Sequence, residues 1–251
     1  MKYMGSKNRI AKYLLPIILE NRKENQYFVD VFCGGMNIID KVDGYRIAAD
    51  NNKYLIAMWN GILNGFEYPK QIDKKLYDLA RNIYNGKETR IEYVQRFSDD
   101  LIGWIGFMGS ANGRFFEGGY SGISITKNGS VRNYISESIR NIEKQKEDLI
   151  GIVLECCDYT ELIIPHNSII YCDPPYKNTK KYSTSKNFNY NKFWNWCREK
   201  AKQGHKIYIS EYEAPNDFFC VWQKDVKSSL SANGLSGGNK ISVEKLFTYK
   251  K

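Results

Sequence analysis

Two periodicities divide the chain. Apolar residues at Ile10, Leu14, Ile17 and Ile18 recur on one side of a helix, with Ser6 or Asn8 as its N-cap and Pro16 kinking it or delaying its start. The apolar run 27–32 reads as a buried strand, and Cys33-Gly34-Gly35 as a tight turn into a short helix from Met36 to about Val42. A second strand over 45–50 ends in Asp50, and a helix over 52–64 follows. From Tyr54 to Leu149 the strand pattern stops and helical spacing takes over: Leu55, Met58, Trp59 and Leu63; Leu76, Leu79 and Ile83; Ile91, Val94 and Phe97; Ile135, Ile139 and Ile142. Within this region the glycine- and aromatic-rich stretch 103–120 reads as a functional loop. Strands resume at 151–159 and 168–172. A helix over 191–203 then stops at Gly204 in the C′ position, followed by a strand at 206–212 and closing strands at 218–226 and 245–249 around a glycine and serine loop at 231–239.

Strand, glycine turn, helix, strand is the opening unit of a doubly wound, mostly parallel α/β sheet. A crossover between parallel strands needs only about a dozen residues, so 54–149 is an inserted helical domain. Segments 1–53 and 150–251 then form the sheet domain. At 251 residues the chain can bury one full core with such an insertion. It shows no internal repeat and no low-complexity tract.

Composition narrows the function. No apolar run is long enough to span a bilayer and residues 1–7 lack a signal-peptide apolar region, so a soluble cytoplasmic protein is expected. The net charge of +9 points to a polyanionic partner. Between Lys177 and Lys206 the only acid is Glu199, against a series that includes Lys177, Lys180, Lys181, Lys186 and Arg198, interleaved with Tyr182, Phe188, Tyr190, Phe193, Trp194 and Trp196. That is either a solvated face or a phosphate-contacting one, and its place directly after residues 173–176 favours phosphate. The six cysteines, Cys33, Cys156, Cys157, Cys172, Cys197 and Cys220, form no Cys-x-x-Cys pair and read as reduced core residues. Two histidines, His166 and His205, are too few for a zinc deaminase centre. No Pro-Cys dipeptide supplies a thiolate for attack on a pyrimidine, and no Gly-x-Gly-x-x-Gly supports a nicotinamide or flavin site.

The hydrophobic run 168–172 ends abruptly in Asp173-Pro174-Pro175-Tyr176. Each proline removes a backbone donor and the pair keeps the chain extended, so pairing stops with free carbonyls beside one carboxylate and one ring. An Asp-Pro turn is the plain alternative. The chemical reading is specific. An exocyclic amine on a nucleobase is a poor nucleophile, because its lone pair is delocalised into the ring. If the Asp173 carboxylate and the Pro174 carbonyl each accept one N–H, the nitrogen is drawn toward tetrahedral geometry and its lone pair is aimed at an electrophile. The fold would bring Gly34, Asp50, Asp158 and Asp173 to one rim of the sheet. Asp50 there can cap the next helix, accept from ribose hydroxyls, or do both.

On these motifs the chain resembles the α-type, Dam-like DNA adenine-N6 methyltransferases, in particular the phage-borne members, over its whole length. Tyr3-Met4-Gly5-Ser6-Lys7 is similar to that family's N-terminal cofactor motif, Phe32-Cys33-Gly34-Gly35 to its glycine turn, and Asp50-Asn51-Asn52 to its ribose acid. Cys157-Asp158-Tyr159 resembles its adenine-contacting acid, and residues 173–176 its catalytic tetrad. The resemblance implies a Rossmann-like class I methyltransferase fold with S-adenosylmethionine as cofactor and no metal. Lys7 would meet the cofactor carboxylate, Asp50 its ribose, and Asp158, beside Tyr159, its adenine amine. Tyr3 and Phe32 would pack on its apolar surfaces, with Gly34 and Gly35 giving backbone room. Asp173 would lie between methyl donor and target amine, and Tyr176 would stack on an adenine flipped out of double-stranded DNA. The insertion becomes the target-recognition domain, with Asn112, Arg114, Lys127 and Arg132 as base or phosphate contacts and Lys177, Lys180 and Lys181 as phosphate contacts. A cognate restriction endonuclease and the oligomeric state are left open. The insertion departs from the enteric loop that reads GATC. Cytosine-N4 or protein-glutamine methylation uses the same geometry; Asp rather than Ser or Asn at 173 favours adenine. An inactive module of the same fold has no evident use for an intact Lys7, Asp50, Asp173 and Tyr176.

Overall fold

The computed structural model describes residues 1–126, 128–177, 187–227 and 241–250. Its frame is a seven-stranded sheet in the order β5-β2-β1-β6-β7-β9-β8. The strands are β1 (Phe28–Asp30), β2 (Arg46–Asp50), β5 (Val153–Cys156), β6 (Ile169–Cys172), β7 (Lys206–Glu211), β8 (Phe218–Lys227) and β9 (Ile241–Tyr249). The first five are parallel to one another, and β9 runs antiparallel to both β7 and β8. The chain leaves β1 toward β2 and β5, then crosses to the other side of β1 for β6 and β7. The order therefore reverses between β1 and β6, the position where open α/β sheets bind ligands beyond their carboxyl ends.

Alternation within the strands explains the two layers. Phe28, Ile169 and Tyr171 face one side of the sheet, under α1 (Ala11–Ile18), α2 (Lys53–Leu63), α5 (Asp99–Gly109) and α6 (Tyr134–Asp148). Val29, Ile170 and Cys172 face the other, where α7 (Tyr190–Lys202) brings Phe193, Trp194, Trp196 and Cys197. The apolar runs of β1 and β6 are thus buried on both faces, as expected of central parallel strands. No helix among the described residues is long and apolar enough to cross a membrane.

Several expectations are corrected. Helix α1 begins at Ala11, with neither Ser6 nor Asn8 as a side-chain cap, because Ser6 Oγ is taken by the Asn8 amide (3.2 Å). Pro16 lies inside it. After the glycine turn only a 3₁₀ turn forms, Ile39–Lys41, since Gly34 and Met36 both have positive φ. The cap of α2 is Asn52, whose Oδ1 accepts from the Tyr54 and Leu55 amides; Asp50 is not the cap. The stretch 103–120 is no continuous loop. Its first third completes α5, and its glycines mark close packing: a Cβ on Gly103 would come 2.1 Å from the Tyr54 carbonyl of α2, and one on Gly109 2.8 Å from the Tyr77 ring of α3 (Lys74–Tyr84). A short hairpin, β3 (Ile123–Ile125) and β4 (Val131–Asn133), stands where only helical spacing was expected. Two cysteines, Cys156 and Cys220, are exposed and do not belong to the core. Strand β9 begins four residues before the expected 245. The loop at 231–239 lies outside the described residues.

The aromatics of 188–197 also find a plainer role. Phe193, Trp194 and Trp196 form the buried stripe of α7, so their interleaving with lysines is helical amphipathicity. Lys180, Lys181, Lys186 and Tyr182 lie outside the described residues.

Candidate active site

Strand β6 delivers Asp173 to the rim, and the two prolines end its pairing. Among the described residues none donates to the Pro174 carbonyl, while the Pro175 carbonyl accepts from the Tyr190 hydroxyl (3.0 Å). The turn of Tyr3–Lys7 closes over this strand end. Lys7 is buried, with its Nζ 2.9 Å from Asp173 Oδ1, 3.9 Å from Glu244 Oε2 and 4.6 Å from the Tyr176 ring centroid. It also donates to the Gly5 carbonyl (3.2 Å). Tyr176 donates to Glu244 Oε2 (3.1 Å) and meets Tyr212 edge to face at 4.7 Å.

Burial sets the electrostatics. It pushes the Asp173 carboxyl above the ordinary carboxylate range, against the pull of Lys7. Burial acts to lower Lys7, but Asp173 and then Glu244 outweigh it and hold the ammonium above its usual pKa. The 2.9 Å contact and these opposing influences leave Asp173 a more basic acceptor than an ordinary carboxylate. Asp30, at the end of β1 and only 2% exposed, is raised well above its ordinary value by burial and then by Asp173.

Next to this cluster lies the glycine turn. Asp50 Oδ2 accepts from the Gly34 amide (3.1 Å) and Oδ1 from the Asn52 amide (2.9 Å); burial raises its carboxyl and these two donors oppose the rise. The Tyr3 ring covers the turn so closely that a Cβ on Gly34 would come 2.6 Å from it. Tyr3 also faces Phe107 of α5 (5.9 Å), so the helical segment and the N-terminal motif share one wall. A cleft beside Asp50 is lined by Tyr3, Asn51, Tyr54, Phe107 and Arg114. Across the rim Phe32 packs on Tyr159 (5.3 Å), and Asp158 accepts from the Thr160 amide and hydroxyl (3.0 and 2.6 Å).

Tyr3, Lys7, Gly34, Gly35, Asp50, Asp173 and Tyr176 thus gather around the ends of β1, β2 and β6, with Phe32, Asp158 and Tyr159 toward the β5 side. The candidate DNA contacts are scattered. Asn112 is exposed, Arg114 lines the cleft, and Arg132 is engaged with Glu137 (2.5 Å). Lys177 is exposed, its amide donating to Glu211 Oε1 (2.8 Å). Lys127 lies outside the described residues. Sequence reasoning did not single out Glu244, Tyr212 or Asp30. Asp30 was visible as an acid inside an apolar run. Glu244 required the true start of β9.

The cluster is suited to holding a small cationic or zwitterionic ligand over the rim: Lys7 for a carboxylate, and Asp50 and Asp173 for hydroxyls and positive charge. The site residues therefore fit an S-adenosylmethionine-sized group with a sulfonium, an ammonium, a carboxylate and a diol.

A family model described as D12 class N6 adenine-specific DNA methyltransferase matches residues 3–104 and 116–232. Among solved structures, one described as "SMU.472, a putative methyltransferase complexed with SAH" aligns over 98% of this chain at 10% identity with a TM-score of 0.34. The chain spans about half the length of that structure, 52%.

Proposed function

Because the chain belongs to the D12 class N6 adenine-specific DNA methyltransferase family, we propose that it methylates N6 of an adenine flipped out of double-stranded DNA, at a specific short sequence. It is a methyltransferase, and S-adenosylmethionine is the cofactor. The observation that carries the reading is the convergence of Lys7, Asp173 and Tyr176 at the proline-terminated end of β6, at the switch point of the sheet.

The cofactor, when bound, supplies an electrophilic methyl group. Lys7 and Asp50 are the residues assigned to its carboxylate and ribose, with Tyr3, Phe32, Gly34, Gly35, Asp158 and Tyr159 along its length. Asp173 and the Pro174 carbonyl accept the two N–H groups of the target amine, which turns the nitrogen lone pair away from the ring. As the N–C bond forms and the bond from that carbon to the sulfonium sulfur breaks, the positive charge would pass to the amine nitrogen, which must shed one N–H proton; the Asp173 carboxylate that accepts this N–H is its proposed recipient. Tyr176, anchored by Glu244 and Tyr212, replaces part of the stacking the base loses on leaving the duplex.

The finer assignments belong to the same proposal. The helical segment 54–149 reads DNA through Asn112, Arg114, Lys127 and Arg132, with Lys177, Lys180 and Lys181 on phosphates. On this reading the enzyme resembles the Dam-like group, phage-borne members in particular, and acts in the cytoplasm of a host cell or at the prokaryotic nucleoid. DNA from cells expressing the protein tests the reading by single-molecule sequencing. The expected result is N6-methyladenine confined to one short motif; the absence of any added modification, or N4-methylcytosine alone, counts against it.

A further inference from the structure

Two features the target needs, an acceptor oxygen of Asp173 and the ring of Tyr176, are engaged by the same ammonium. Lys7 Nζ is 2.9 Å from Asp173 Oδ1 and 4.6 Å from the Tyr176 centroid. With three N–H donors Lys7 can meet the cofactor carboxylate while still paired with Asp173, but it cannot leave Asp173 unless another anion takes that place, because a poorly compensated interior charge is strongly unfavourable. The structure holds such a partner. Strand β9 alternates Leu246 toward the α1 side of the sheet and Phe247 toward α7, so Glu244 shares the α1 side with Leu246. Its Oε2 is 3.9 Å from Lys7 Nζ, and a shift of about 1 Å closes this to a charge-assisted hydrogen bond. The same oxygen accepts from the Tyr176 hydroxyl, which couples the lysine's position to that of the ring. Lys224, opposite Glu244 in the strand pairing, does not compete in this structure: its ammonium lies 3.6 Å from the Tyr13 ring centroid.

We propose that Glu244 is a positioning residue that takes the Lys7 ammonium from Asp173 when the target amine enters, freeing the aspartate to accept from that amine. The inference rests on the function proposed above. It concerns Lys7, Asp173 and Glu244 themselves, and it distinguishes two states of one lysine.

Glu244→Gln keeps the side-chain volume and an acceptor for the Tyr176 hydroxyl while removing the charge. It is expected to lower kcat about tenfold or more, with KM for DNA and Kd for S-adenosylhomocysteine changed less than about threefold. Lys7→Gln removes the ammonium that Glu244 receives. Adding Glu244→Gln to it should then cost nothing further, a non-additive cycle. A readout independent of turnover is the titration of Lys7 followed by ¹³C NMR at its Cε: Glu244→Gln should shift its pKa down. Additive losses in the cycle, an unchanged Lys7 titration, or a lowered Tm with unaltered kcat would each overturn the proposal. If the wild-type protein transfers no methyl group to DNA, the functional reading fails instead, and the titration still decides whether Glu244 stabilises the Lys7 charge.

Discussion

At the scale of single residues, the chemistry turns on one carboxylate and one ammonium. Asp173→Ala removes the acceptor between cofactor and amine, and transfer should fall by at least about 10²- to 10³-fold, the usual cost of losing a preorganised electrostatic partner. Binding of S-adenosylhomocysteine by calorimetry should be only partly weakened; near-normal turnover would refute the role. The pH dependence follows from the shifts. The folded-state pKa of Asp173 is raised, so its charged form is lost as pH falls through a value above the ordinary ~3.9. The acid limb of kcat/KM should therefore lie above that value, and the buried charge itself weakens folding at higher pH. For Lys7 the sign is opposite. Its folded pKa is raised, so its stabilisation is fully present below the ordinary ~10.4 and is lost as pH rises through the higher folded value. The strand-terminal acids Asp50, Asp158 and Asp173 were legible because an acid interrupting an apolar run has few structural reasons to be there. Glu244 was not legible, since the sequence strand began at 245 and left it outside any element. Arg132 looked like a free base-reading cation, because nothing in the sequence shows that Glu137, five residues on, engages it.

At the scale of elements, glycine was the residue most easily misread. Gly103, Gly106 and Gly109 suggested a loop by composition, yet they recur every three residues along α5 where other groups approach its backbone. Gly103→Ala would place a methyl group 2.1 Å from the Tyr54 carbonyl, forcing α2 and α5 apart. Chemical denaturation should show a loss of about 1–3 kcal/mol, the range for overpacking a close contact; an unchanged midpoint would contradict this packing. The positions of α2 and α7 were readable from apolar spacing to within a residue or two, whereas their caps, Asn52 and Asn189, and the Asp73 cap of α3 emerge only from the structure. The hairpin of β3 and β4 escaped because three-residue strands carry too few alternations, and Ile123, Ile125 and Val131 are exposed. Strand β5 was drawn too long, since it forms a sheet edge and its residues are half-open to solvent.

At the scale of the molecule, the doubly wound sheet was legible from the glycine turn and the strand-terminal acids, and its observed order reverses between β1 and β6. The antiparallel ending of β9 and the sharing of one core between the helical segment and the sheet were not, because both depend on contacts distant in sequence. A net charge of +9 predicts duplex DNA affinity that declines steeply with salt, with a log–log slope of about −0.9 per phosphate contact. Fluorescence anisotropy over a salt series measures it, and a flat dependence would argue against phosphate contact. The central claim is tested most directly by incubating the protein with methyl-labelled S-adenosylmethionine and duplex DNA, digesting the product to nucleosides and separating them. The account predicts label in N6-methyladenine; label only in N4-methylcytosine, or in no DNA at all, would contradict it.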